Sequence, residues 1–271
     1  MSSINTNSSA LSGLDRYNSL STQLNQTGKR ISTGLKVADA LDNGAVFAIA
    51  QGLRSDSSSL SAVNGQLGAA QGAVNVASAA ATNISNSLSD VRDTLLQLAD
   101  SSLSANARSQ LQAQYTSQTQ QISSQIGSAT YNGTNLISAG AQNQSVIQDT
   151  SANQLTVQAQ DLNAGAASLL TPVNNANQAA ALLNGGFQTA ASNVGTALNS
   201  LAASATAISN QVNTNLSAAN ATDQGLGALV DANLAKDAAL QSSQQVGQQL
   251  ATQSLGIANT APKVLGNLFG G

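Results

Sequence analysis

The sequence predicts a mainly α-helical chain, a long antiparallel coiled-coil helical bundle with a small β-hairpin region. Three observations predict it. Leu60, Val63, Leu67, Ala70, Val74, Ala77, Ala81, Ile84, Leu88, Val91, Leu95 and Leu98 recur at alternating spacings of 3 and 4. That is the seam of a coiled-coil helix, and it is roughly 60 Å long at 1.5 Å per residue. The pattern returns late, at Val194, Leu198, Leu201, Ala205, Ile208, Val212, Leu216 and Ala219. Proline stands only at 172 and 262, so nothing earlier breaks a helix in that way. Exposed seams of this length must pair, within the chain or between chains.

A first helix is expected over residues 9–33, with a stripe of Leu14, Tyr17, Leu20, Leu24, Ile31 and Leu35 and a stop at Gly34. Residues 39–47 read as an irregular link, because Asp39, Asp42, Asn43 and Gly44 are turn formers. The long helix follows to about Asp100, and a shorter one continues through Leu111, Tyr115, Ile122 and Ile126. Asn132-Gly133 is a turn signal. Short strands are expected at 134–137 and 145–148, and Leu155, Val157 and Ala159 alternate as a half-buried strand does. Residues 138–174 form the β-hairpin and surface-loop region. A second long helix spans about 175–221, and Gly225 and Gly227 loosen the chain after it. The last helix carries Leu250, Ile257, Val264 and Leu268, with Pro262 interrupting it. The bundle is therefore assigned to 48–137 with 175–221, and the paired ends to 1–38 with 226–271.

Composition removes whole classes of function. There is no Cys, His, Trp or Glu, and all twelve acids are Asp. That leaves no disulfide framework, no thiolate metal site and no histidine base. No catalytic residue, metal site or cofactor is assigned. Nine cations and 2% aromatics give no footprint for nucleic acid. No apolar run reaches the length of a membrane span, and residues 1–7 lack the basic and apolar regions of a cleavable secretory signal. Between residues 162 and 222 there is no charged side chain, so Asn, Gln and Ser keep that stretch soluble.

Particular stretches resemble bacterial flagellin. Ile4-Asn5-Thr6-Asn7 is similar to that family's opening, and Arg30-Ile31-Ser32-Thr33-Gly34-Leu35-Lys36-Val37 resembles its Arg-Leu-Ser-Ser-Gly-Leu-Arg-Ile motif. Ala40 to Ala50 aligns without a gap to Ala-Lys-Asp-Asp-Ala-Ala-Gly-Leu-Ala-Ile-Ala, with Asn43 for the second Asp and Val46 for the Gly. Asp231-Ala232-Asn233-Leu234-Ala235 and Ala258-Asn259-Thr260-Ala261-Pro262 resemble the closing motifs. The likeness covers roughly 1–137 and 176–271, with no large variable outer domain between, as in short flagellins of alphaproteobacterial type.

The resemblance implies a structural subunit that polymerises into the flagellar filament for swimming motility. Terminal helices would pair as an inner tube, and the long helices would bundle outside it. It implies a secreted, extracellular protein that leaves through the flagellar type III apparatus. Its partners would be copies of itself, other flagellins, the hook-associated junction and cap proteins and an export chaperone. Neither a membrane nor a nucleic acid is among them. The polymerisation and core seam is then Leu14, Leu24, Ile31, Leu35, Leu250, Ile257, Val264 and Leu268, and the outer-helix seam Leu60, Leu67, Ile84, Leu88, Val91, Leu95 and Leu98. Gln241, Ser242, Gln245, Gln248, Gln249 and Gln253 would give the channel an uncharged polar wall. Ser138, Ser145, Thr150, Ser151, Thr156, Ser168 and Thr171 are candidate glycosylation hydroxyls on the outer surface. Enteric flagellins meet a Toll-like receptor through Leu-Gln-Arg-Val-Arg-Glu-Leu, which aligns with residues 88–94. Asp90, Arg92, Asp93 and Thr94 are expected off the seam there, and the inverted charge at Asp90 with the lost Leu at Thr94 implies poor recognition.

Two other readings remain beside this one. The hook–filament junction protein has similar ends, but the Pro262 motif is more flagellin-like. A chemoreceptor cytoplasmic hairpin is also rich in Ala, Ser and Gln, but it carries Glu-rich segments that are missing here. Asp90 and Asp93, at i, i+3, read as a solvated helix surface rather than a metal pair. Asp39-x-x-Asp42-Asn43-Gly44 lacks the closing ligands of a calcium loop and reads as a turn.

Overall fold

A computed structural model describes residues 6–269, with residues 261–269 as backbone only. The elements in order are α1 (Ser8–Thr33), α2 (Ala40–Leu98), α3 (Ala105–Ser128), β1 (Thr130–Tyr131), β2 (Thr134–Asn135), β3 (Gln144–Ile147), β4 (Gln154–Val157), α4 (Asn163–Leu169), α5 (Ala176–Asn184), α6 (Gly186–Val230) and α7 (Leu234–Phe269). The class is mainly α. The chain divides into two compact units. One takes residues up to Ser55 and from Ala221 on, and the other is Asp56–Asn220.

In the second unit the heptad stripe of α2 forms the spine of the core. All twelve of its positions from Leu60 to Leu98 are buried. Helix α3 returns antiparallel beside α2, since Ser87 Oγ meets Gln125 and the Arg108 guanidinium donates to the Leu98 carbonyl at 2.7 Å. Helix α6 is also antiparallel to α2. Its Asn215 bonds to Asn64, and its Ala190 and Val194 lie beside Ile84 and Leu88. The gap these residues share with Ile122 is about 10 Å³, room for no more than a single water. Ser104 caps α3 through the Ala107 amide at 3.3 Å.

Two hairpins lie between α3 and α4. Asn132 (φ 47°) and Gly133 (φ 78°) make the first turn, where two successive positive φ values suit these residue types. In the second, Gln144 pairs with Val157 and Ile147 with Gln154, which turns Val146 and Val157 inward. Asp149 closes its turn by accepting from the Ser151 and Asn153 amides. Tyr115 is buried and donates its hydroxyl proton to the Leu169 carbonyl at the end of α4. Burial pushes the Tyr115 phenol up to about 12.

Several expectations need correction. Residues 40–47, expected to be irregular, are helical except at Asn43 (φ −166°, ψ 100°). The helix expected over 175–221 is two helices, α5 and α6, broken at Gly185. Packing holds the next residue to glycine, because a Cβ on Gly186 would sit 2.9 Å from the Ser168 carbonyl oxygen. Gly225 and Gly227 do not loosen the chain, since α6 runs to Val230. Leu226, Leu229 and Val230 pack in one apolar cluster there, which offsets a glycine penalty of about 1 kcal/mol each. The backbone of α7 stays helical through Pro262. On α6 the seam passes through Ala197, Leu201, Ile208 and Asn215, and Leu216 is 48% exposed. Asn215 holds that inner position through bonds to Asn64 Oδ1 (3.1 Å) and to the Gln148 carbonyl (2.9 Å).

Candidate assembly surface

In the first unit α1 and α7 pair antiparallel. Asn7 Nδ2 donates to the Ala258 carbonyl at 2.8 Å, Gly13 faces Leu255, Leu20 faces Gly247, and Gly28 faces Gln241. Asn7 Oδ1 also caps α1 by accepting from the Ala10 amide at 3.0 Å. The side of α1 turned to α7 is Ala10, Gly13, Tyr17, Leu20, Leu24, Thr27 and Ile31, at coiled-coil spacing and at least half-buried. Gly13 belongs there because a Cβ would meet the Leu255 side chain at 2.9 Å.

The answering side of α7 is polar. It is Asp237, Gln241, Gln244, Gln248, Ala251, Leu255 and Ala258, again at alternating spacings of 4 and 3 and at least half-buried. Asp237, Gln244 and Ala251 are fully inside, and Gln244 Oε1 has no hydrogen-bond donor among the described residues. Gln241 and Gln248, expected on a channel wall, thus turn toward α1, whereas Ser242, Gln245, Gln249 and Gln253 are exposed.

The aliphatic residues of α7 point elsewhere. Val246, Leu250 and Ile257 share one face with Ala239, and all four are exposed. Leu250 is 57% and Ile257 73% exposed. At 3.6 residues per turn this face lies roughly 150° around the helix from the α1 side. No charged side chain occurs from residue 238 to 262. Among the other seam residues expected from sequence, Leu24, Ile31 and Leu35 are half-buried. Leu14 is 46% exposed, its expected place inside being taken by Gly13. The side chains of Val264 and Leu268 lie outside the described residues.

Between α1 and α2 the chain is tied down twice. The Lys36 and Ala232 amides pair with the Val230 and Gly34 carbonyls, and Lys36 Nζ donates to the Ala228 carbonyl at 2.8 Å. A cation there complements the C-terminal end of α6. Val37, Ala50 and Val230 form a small core with Leu35, Val46, Phe47, Leu226 and Leu229 around it. Then Asp39 caps α2 by accepting from the Leu41 (2.9 Å) and Asp42 (3.1 Å) amides. Asp42 reaches back to the Ala38 (2.9 Å) and Asp39 (3.3 Å) amides, a reciprocal cap. Lys29 Nζ clamps both carboxylates, at 2.7 Å from Asp39 and 3.0 Å from Asp42. Asn43 breaks the helix and caps it afresh through the Val46 amide.

The clamp has a pH signature. The Lys29 hydrogen bond holds the Asp39 carboxyl below its ordinary 3.8. The Ala38 amide, then Lys29, does the same for Asp42. Lys29 is raised above 10.5 by its bond to Asp39, then by that to Asp42. Depressed carboxyls contribute order that is fully present above 3.8 and lost as pH falls through their folded values. The raised lysine contributes below 10.5 and fades above it. An acid titration followed by the Leu41 amide chemical shift should therefore show a midpoint below 3.8. In Lys29→Met it should move up toward that value, and an unmoved midpoint would refute the clamp.

The proposed outer hydroxyls do not all reach solvent. Ser145, Thr150, Ser151, Thr156 and Thr171 are exposed. Ser138 is half-buried, and Ser168 Oγ is engaged with the Gly165 (2.6 Å) and Gly186 (3.0 Å) carbonyls, which corrects its placement. Within 88–94, Asp90, Arg92 and Asp93 are exposed, but Thr94 is buried with its hydroxyl on the Asp90 carbonyl at 3.1 Å, so it does not lie on the open surface. Thr94 is small enough to fold inward beside Leu95, and the seam spacing alone did not reveal that.

Comparison with known proteins agrees with this architecture. Residues 4–142 match the family model of the bacterial flagellin N-terminal helical region. The chain is 33% identical over 270 residues to the flagellin FljO of Caulobacter vibrioides, covering 99% of both chains. It is 30% identical over 295 residues to a flagellin of Brucella melitensis, covering all of both. The fold is similar to the crystal structure of Bacillus cereus flagellin, with a TM-score of 0.51 at 20% identity, over 55% of this chain and 86% of that one. A family model spanning half of the chain and full-length relatives at this identity place the chain in the bacterial flagellin family, the structural subunits of the flagellar filament.

Proposed function

We propose that this chain polymerises with copies of itself into a flagellar filament, as a structural subunit with no catalytic role. The observation that carries the reading is the exposed, uncharged aliphatic face of α7, Val246, Leu250 and Ile257, in a helix whose inner side is mostly polar. Aliphatic surface left in water while amides are buried is the reverse of a self-sufficient pair. It finds its burial against neighbouring subunits. The α1–α7 pair then forms the inner tube, and the α2, α3 and α6 bundle the outer one.

On this reading the subunit is exported, and it meets an export chaperone inside the cell and the junction and cap proteins outside it. Other flagellins can share the filament. Exposed Ser145, Thr150, Ser151, Thr156 and Thr171 are the hydroxyls offered for glycosylation, and weak Toll-like receptor recognition rests on the exposed Asp90. The reading is tested by adding purified subunit to sheared filament fragments. Electron microscopy should show the fragments lengthening, and subunits that stay monomeric beside competent fragments would refute it.

A further inference from the structure

Asn43, Asn64, Asn132 and Asn184 each precede a glycine. In an Asn-Gly pair no Cβ crowds the glycine nitrogen, so it can attack the amide carbon of the side chain before it. Attack needs a backbone N–H outside any ladder and a side chain free to turn back on it. The fold withholds one or both at three of these pairs. Asn64 lies inside α2, where the Gly65 N–H serves the helix, and its Oδ1 accepts from Asn215 at 3.1 Å. Asn184 ends α5, and the Gly185 N–H is held by the Leu182 carbonyl at 3.3 Å. Asn43 spends its Oδ1 on the Val46 amide at 3.1 Å, which fixes its side chain as a cap. Asn132 differs. Among the described residues neither its side chain nor the Gly133 N–H has a hydrogen-bond partner. Both residues are exposed, and a Cβ placed on Gly133 would meet nothing within 4 Å.

We infer that Asn132-Gly133 is a self-modification site, at which the folded chain converts Asn132 to aspartyl and isoaspartyl forms. The Gly133 nitrogen gives its proton to hydroxide and bonds to Cγ of Asn132. The Cγ–Nδ2 bond breaks, and the amide nitrogen takes a proton from water and leaves as ammonia. Water then opens the five-membered imide at either of its carbonyls, so a carboxylate stands where an amide stood. Strands β1 and β2 are two residues each, and so short a pair opens locally with little free energy to reach the attacking geometry. The isoaspartyl form places one extra carbon in the main chain between residues 132 and 133. That carbon lengthens the two-residue turn that sets the pairing of Tyr131 with Thr134. Tyr131 in turn covers the α2 backbone at Gly72, where a Cβ would lie 2.6 Å from its ring. The modification therefore acts on the contact between hairpin and bundle, whether or not the chain is in a polymer.

The test ages the full chain in neutral buffer beside a sample unfolded in guanidinium. Peptide mapping by mass spectrometry, with fragmentation to place each amide-to-acid gain, follows the four asparagines separately. Labelling with protein isoaspartyl methyltransferase counts the isoaspartyl product. In guanidinium all four pairs should convert. In the folded chain Asn132 should convert ahead of Asn43, and faster than Asn64 and Asn184 by roughly tenfold or more, since those two must first open a helix or a bonded turn. Asn132→Gln should remove most of the methyl acceptor from the folded chain, because the longer side chain closes a six-membered ring far more slowly. Conversion of Asn43, Asn64 or Asn184 as fast as Asn132 in the folded chain overturns the proposal. So does an unchanged Asn132 in folded chain over a period in which the unfolded sample converts, and so does undiminished labelling of the Asn132→Gln chain.

Discussion

Leu250→Asp should leave the monomer's helices intact and stop filament growth. In the isolated chain Leu250 is more than half in water, on the side of α7 turned away from α1, so a carboxylate there stays solvated. Between subunits the same group loses its water. Deleting the leucine contact forfeits about 1.5–3 kcal/mol, and burying an unpaired carboxylate costs several more. At about 1.4 kcal/mol per tenfold, the critical concentration rises by several orders of magnitude. Circular dichroism of the monomer should be unchanged while sedimentation finds no polymer. Normal assembly of the variant would remove the α7 face from the interface. Leu35→Asp is a useful contrast. Leu35 packs in the chain's own junction cluster, so it should disturb the monomer as well.

Leu95→Ala should be strongly damaging to folding. Leu95 is completely buried in the heptad core, and its neighbour Leu96 is 53% exposed. Leucine to alanine in a close-packed core costs about 2–5 kcal/mol. For a unit of this size that lowers the melting temperature by roughly 4–20 °C. Leu96→Ala removes the same atoms from a half-wet site and should barely change the melt. Equal melting temperatures for the two variants would contradict the assignment of the seam.

The heptad of α2 was legible in full, because large aliphatic residues at strict spacing leave one face for the core. Elsewhere the same logic failed for physical reasons. In α7 the aliphatic residues carry the visible period, yet the side facing α1 takes Asp237, Gln241, Gln244 and Gln248 beside Ala251, Leu255 and Ala258. A seam with this many polar residues leaves a weak hydropathy signal. On α6 the pattern drifted by one residue, because the inner position at the end is Asn215, held by Asn64 and the Gln148 carbonyl. The Lys29 clamp on Asp39 and Asp42 joins a helix to the cap of the next one across a turn, and no local period points to it. Pairing partners of this kind are set by tertiary geometry, which a one-dimensional pattern does not contain.

The polar inner face of α7 also bears on how the terminal pair comes apart. Separating α1 from α7 wets the amides and carboxylate of α7 together with Tyr17, Leu20, Leu24 and Ile31 of α1. Apolar hydration raises heat capacity and polar hydration lowers it, so the polar residues of α7 offset part of the heat-capacity increment that the aliphatic side of α1 adds. The buried seam of α2, with twelve apolar positions, has no polar residue to offset it, so its opening carries a larger increment for each residue wetted.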